Sequence, residues 1–261
     1  MEKIEINGRL ATVDDLRHTA LRGYGHFTAM QVRDRRVRGL DLHLSRLRNA
    51  TRELFDRDLD TELVRARVRH ALEGEDGDAS VRVYVYGHDL PVWDEVEPQI
   101  MVSVRPPTEP PSTPRGLWPA PFQREAAHLK HIGGFGQAYF SRLAERAGFD
   151  EALLVAADGT IAEGAITNIG FWDGTCVVWP EAPMLRGITM MLVERGLADM
   201  GVPVRHQVVR LSDLPSFRSV FLTNSWGVMQ VDRVDDLRFA LDERMMAMIR
   251  KAHERNPWDL I

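Results

Sequence analysis

The stretch RPPTEPPSTPRGLWPAP, residues 105–121, holds seven of the chain's fourteen prolines. Proline has no backbone N–H and a fixed φ, so such a run favours extended, weakly paired chain. Helix-like and strand-like patterns stop at this run and resume beyond it. It therefore reads as an interdomain connection rather than a plain surface loop. The expected organisation is a small N-terminal domain over 1–113, a linker over 114–122 and a larger C-terminal domain over 123–261.

Before the prolines, KIEINGRLATV alternates like a strand pair around Asn7-Gly8, a dipeptide suited to a tight hairpin turn. HFTAMQVRDRRVRGLD reads as two further strands, and LDLHLSRLRNATRELF as a helix with Asp41 as its N-cap. A second helix is expected over about 60–73, followed by strands in SVRVYVYGHD and PQIMVSVRPP. After the prolines come a helix over about 134–147 and apolar strand runs broken at Asp158-Gly159 and Asp173-Gly174. GITMMLVERGLADMG is a helix opening at a glycine, and a last helix covers about 240–255. Strands and helices in this order make the fold class α+β.

Composition narrows the function classes. A formal charge of −5 argues against a nucleic-acid surface, which needs clustered positive charge. The one cysteine, Cys176, excludes an intramolecular disulfide and a cysteine-based metal cluster, and no histidine pair has metal-ligand spacing. The polar, acidic N-terminus lacks a signal-peptide core and no apolar run reaches membrane-span length, so a cytoplasmic protein is expected.

The chain has thirty arginines and only three lysines, and one of these, Lys130, precedes the nearly uncharged run HIGGFGQ. In a weakly polar site an amine loses its charge and becomes a nucleophile, which arginine cannot do; a solvated loop lysine is the plainer alternative. Glu163, in IAEGAITNIGF, lies among apolar residues. It is either an exposed strand-end carboxylate or one that needs a buried positive partner. LRGITMML offers the free amides of Gly187, Ile188 and Thr189 to an anion, as any helix start would. Ser225, in TNSWG, could add a hydroxyl, and Arg46, in HLSRL, is a phosphate clamp or a solvated helix residue.

Taken in order, HLxRL, the lysine, EG followed by Asn, the glycine-led helix start and the Asn-Ser turn resemble the class IV, or fold type IV, pyridoxal-phosphate enzymes. That family includes branched-chain and D-amino acid aminotransferases and aminodeoxychorismate lyases. The resemblance implies the two-domain D-amino acid aminotransferase-like fold, with pyridoxal 5'-phosphate between the domains. It implies Lys130 as the Schiff-base lysine and general base, Glu163 on the pyridine nitrogen, and Arg46 on the phosphate. The amides of Ile188 and Thr189, with Ser225 and the amide of Trp226, would complete the phosphate site. Asn168 would support the cofactor, and His26, Phe27 and Thr28 would meet the substrate.

Branched-chain enzymes carry a tyrosine shortly after the lysine, where this chain has Phe135, a further substrate-side candidate. Lys130-His131, Gln137, DEALLV and NSWGVMQV look more like the lyases, whereas AEGAITNIGFW and PMLRGITM look more like the aminotransferases. The implied function is amino-group transfer between a small amino acid or amine and a keto acid. The alternative is release of pyruvate and 4-aminobenzoate from aminodeoxychorismate. The implied partners are the amino donor and the keto-acid acceptor, with a homodimer as the assembly.

Overall fold

The computed structural model describes residues 2–75, 77–87 and 97–261. The chain forms two compact units. The first comprises Met1–Thr108 with two later segments, Leu129–Gly133 and Pro257–Ile261; the second comprises Glu109–His128 and Gly134–Asn256. Lys130, expected in the C-terminal domain, therefore packs with the N-terminal unit.

The first unit contains β1 (Lys3–Ile6), β2 (Arg9–Leu10), α1 (Val13–Arg22), β3 (Gly25–Val32), β4 (Arg36–Arg38), α2 (Leu40–Phe55), α3 (Thr61–Ala71), β5 (Ala79–Tyr86) and β6 (Gln99–Arg105). Asn7 and Gly8 both take positive φ, 50° and 83°, and form the β1–β2 turn as expected. The five-stranded sheet runs β2-β1-β6-β5-β3, every pairing antiparallel. Alternate residues Met30, Val32, Val81, Val83, Val85, Val102 and Val104 face a core shared with Leu47, Phe55, Val64 and Val68 of α2 and α3. Gly39, at φ 70°, precedes α2, and Asp41 lies in its first turn rather than at the expected N-cap. There its charge still complements the helix dipole.

The second unit contains β7 (Arg115–Pro121), α4 (Phe135–Arg146), β8 (Glu151–Val155), β9 (Ile161–Gly164), β10 (Asn168–Trp172), β11 (Val177–Pro180), α5 (Ile188–Asp199), β12 (Val204–Gln207), β13 (Ser219–Asn224), β14 (Gly227–Val234), β15 (Leu237–Arg238) and α6 (Glu243–Glu254). Its nine-stranded sheet follows β12-β11-β10-β13-β14-β7-β8-β9, with β15 on β14. The expected linker is thus mostly strand: Leu117–Pro121 of β7 pairs in parallel with the whole of β8. It keeps its prolines because β14 pairs only with Arg115–Leu117. Pro119 and Pro121 have β8 on one side alone, so their missing N–H groups break no ladder on the other. Packed α5 and α6 bury Met190, Val193, Leu197, Met246 and Ile249 with Trp179 and Phe221 of the sheet.

Candidate active site

In the first unit the site begins at an open sheet edge. β3 is the last strand of its sheet, and the segment Leu129–Gly133 adds to it. Phe27 N–H donates to the Lys130 carbonyl at 2.9 Å, and Ile132 N–H donates to the Gly25 carbonyl at 2.9 Å. Gly25 permits this approach: at its φ of 154°, a β-carbon would lie 2.6 Å from the Val85 carbonyl oxygen and 2.8 Å from Ile132. The pairing turns the Lys130 side chain over the Phe27 ring, with Nζ 4.8 Å from its centroid.

The two-residue period of β3 then sorts the expected substrate contacts. Phe27 stacks on Tyr84 at 5.2 Å, and Arg82 reaches the Tyr84 hydroxyl at 3.4 Å. His26 and Thr28 point the other way and are fully buried against α2. His26 Nε2 bonds the Thr51 hydroxyl at 2.9 Å, and the Thr28 hydroxyl bonds His43 Nδ1 at 2.7 Å. His26 and Thr28 thus lie on the opposite face of β3 from Phe27, as the two-residue period of a strand requires. Burial pushes His26 down to about 4. Burial, with the charges of Arg46 and Lys130, pushes His43 down to about 3. Both rings are neutral at pH 7. Arg46, one turn after His43 on α2, is half-buried and pushed down by burial to about 10, so it stays cationic. The first unit thus gathers Lys130, Phe27, His43 and Arg46.

In the second unit Glu163 is the next-to-last residue of β9, and it is buried, with 6% exposure. Arg124 Nη1 donates to Glu163 Oε1 at 3.0 Å, and Leu185 N–H lies 3.3 Å from both carboxylate oxygens. Asn168 opens β10 and fixes the strap that follows: Nδ2 donates to the Leu185 carbonyl at 2.6 Å, and Oδ1 accepts from Gly187 N–H at 3.0 Å. Both ends of its amide are engaged, so Asn168 shapes the strap. Gly187 is the N-cap of α5, and no side chain caps that helix. The amides of Ile188 and Thr189 begin it.

The β13–β14 turn lies against this helix start, since the Thr189 hydroxyl donates to the Asn224 carbonyl at 2.6 Å. Asn224 pairs with Gly227, which leaves Ser225 and Trp226 as the two turn residues. The Trp226 amide donates to Asn224 Oδ1 at 2.8 Å and is therefore already engaged. Phe135 starts α4, stacks on Tyr139 at 5.9 Å and is 82% exposed. The second unit so brings together Glu163, Asn168, Ile188, Thr189, Ser225 and Trp226. Among the described residues, no cluster of histidine, cysteine, aspartate or glutamate could hold a metal, and no helix is long and apolar enough to cross a membrane.

Sequence reasoning missed Arg124, His43, Arg82 and Tyr84. The last two could have been found from the alternation of VRVYVY, and His43 from its place in HLSRL. Nothing distinguishes Arg124 from the other arginines.

A family profile described as class IV amino-transferase matches residues 25–234. A probable branched-chain-amino-acid aminotransferase of Rickettsia felis is 30% identical over 108 residues, spanning 40% of this chain and 37% of that protein. The chain thus aligns with little more than a third of that relative's length. Two solved structures share the fold. A branched-chain aminotransferase from Thermoproteus uzoniensis superposes at a TM-score of 0.85 with 18% identity, covering 97% of this chain and 93% of that one. A hypothetical aminotransferase from Mycobacterium tuberculosis, in a PLP-bound form, gives 0.82 with 20% identity, covering 96% and 97%. With its α+β architecture and a profile match over most of its length, the chain belongs to the class IV aminotransferase family.

Proposed function

We propose that this protein is a pyridoxal-phosphate-dependent aminotransferase acting between a small amino acid or amine and a keto acid. The observation that carries the reading is the frame in the second unit. A buried carboxylate, Glu163, and an uncapped helix start, Ile188–Thr189, are tied together through Leu185–Gly187. Such a frame suits a ring with a protonated nitrogen and a phosphate. The similar mycobacterial protein carries this cofactor in its PLP-bound form.

The donor set fits the group. Glu163 would pair with the ring nitrogen, and the Ile188 and Thr189 amides, the Ser225 hydroxyl and Arg46 would hold the phosphate. The Trp226 amide would join them only by giving up Asn224. When bound, the cofactor supplies an electron sink for the pair left behind when the substrate carbon loses its proton. Lys130 Nζ would hold the cofactor and would be the base that takes the substrate's proton and returns it. An arginine stays protonated and could do neither. Glu163 would keep a proton on the ring nitrogen. Phe27, with Tyr84 and Arg82 on the same sheet face, would meet the substrate. The protein acts in the cytoplasm as a homodimer, with no nucleic-acid or membrane partner.

The test uses the scarcity of lysine. Reduction of the cofactor-loaded protein with borohydride should fix the label on Lys130, in the tryptic peptide 125–142. A label on Lys3 or Lys251, or none, would sink the assignment. Amine transfer should require a keto acid. Pyruvate release from aminodeoxychorismate without such transfer would replace this reading with the lyase.

A further inference from the structure

We propose that Arg124 is the positioning residue of Glu163, holding that carboxylate ionised and aimed for the cofactor's ring nitrogen. This rests on the aminotransferase reading. The side chains of Arg124 and Glu163 are almost wholly buried, at 4% and 7% exposure, with Nη1 3.0 Å from Oε1. A carboxylate at that depth prefers the neutral acid unless a cation or donors hold it charged. A neutral Glu163 could not keep a proton on a ring nitrogen. The guanidinium holds Oε1, and the Leu185 amide lies at 3.3 Å from both oxygens.

The same guanidinium nitrogen is anchored elsewhere. Arg124 Nη1 also donates to the Ala127 carbonyl at 2.9 Å, across a turn in which Ala126 takes a φ of 43°. A non-glycine residue in that left-handed region needs its surroundings to hold it. Arg124 is therefore fixed by its own turn, and Glu163 is fixed on Arg124. A lysine here would keep the charge and a single nitrogen with donors for both acceptors, which Nη1 alone serves in Arg124.

A double-mutant cycle tests the proposal. R124M, R124K, E163Q and R124M/E163Q are compared as full-length protein, with and without pyridoxal phosphate. If Arg124 acts through Glu163, R124M lowers kcat at least tenfold and weakens cofactor binding, with substrate KM changed less than threefold. In the E163Q background the same substitution changes kcat and cofactor Kd less than twofold. Without cofactor, R124M lowers Tm by roughly 6–12 °C at pH 8, because an unpaired buried charge remains. That loss shrinks in R124M/E163Q, where no charge remains. R124K, which preserves the charge should R124M fold poorly, recovers most of kcat. Equal losses in both backgrounds, or unchanged kcat in R124M, overturn the proposal. Failure of the unaltered protein to bind the cofactor overturns the functional reading and this assignment together; binding with equal losses overturns this assignment alone.

Discussion

Gly187 lies so close to Asn168 that a β-carbon on it would sit 2.0 Å from the amide oxygen that accepts its N–H at 3.0 Å. The contact fixes the step between the Glu163 strand region and the start of α5. G187A should therefore displace Asn168 and weaken cofactor binding strongly. N168A removes the hydrogen bonds to the Leu185 carbonyl and from the Gly187 amide, a loss of about 2–4 kcal/mol in stability. Thermal melts and cofactor titrations of both variants check this. Wild-type cofactor affinity in G187A would show that the strap does not shape the site.

The buried histidines make the first unit sensitive to acid. Folding lowers His26 and His43 from 6.5 to about 4 and about 3. Between these values and 6.5 the unfolded chain binds more protons, so stability falls as pH drops through that window. The two together can remove several kcal/mol by pH 4. Tm measured from pH 7.5 to 4.5 should decline below about pH 6.5, and H26Q should flatten the decline. A flat profile in the unaltered protein would mean that these rings charge freely in the fold.

What the sequence made legible follows from which forces are local. Asn7-Gly8, Asp158-Gly159 and α5 with its leading glycine form where expected, because turn chemistry and helical period act over a few residues. α1 was not foreseen, although Thr12 and Asp15 form a capping box that marks its start. β7 was hidden because proline content speaks against a strand, and only the short reach of β14 makes it tolerable. In the site, the order of the motifs pointed to Lys130, Glu163 and the α5 start. The inward direction of His26 and Thr28 follows from β3 pairing, and the Arg124–Glu163 pair joins residues thirty-nine positions apart. Such long-range choices of face and partner leave no local pattern to read.

Arg46 offers a direct test of the phosphate assignment. Burial costs it some of its proton affinity, yet at about 10 it remains charged at every working pH. R46M should weaken pyridoxal-phosphate binding by roughly 10- to 150-fold, the loss of one charge-assisted hydrogen bond. Binding of pyridoxal, which lacks the phosphate, should change little. Equal losses for both ligands would indicate that Arg46 acts on the fold of α2 instead.

Glu151 should respond to pH in the opposite sense to the histidines. Burial raises its carboxyl above 4.5, opposed by bonds from the Ile166 amide and the Thr167 hydroxyl, both at 2.9 Å. A raised carboxyl binds more protons folded than unfolded, so its contribution is fully present below pH 4.5 and declines as pH rises through the folded value. E151Q keeps an acceptor oxygen for both donors and carries no charge. It should raise Tm at pH 8 and leave it unchanged at pH 4, with the gain largest where the native carboxyl is ionised. Because Ile166 and Thr167 immediately precede Asn168, the variant should retain cofactor affinity. A fall in Tm at pH 8 would mean that the ionised carboxylate, with Arg115 nearby, stabilises this turn, and the sign assigned to its burial would be reversed.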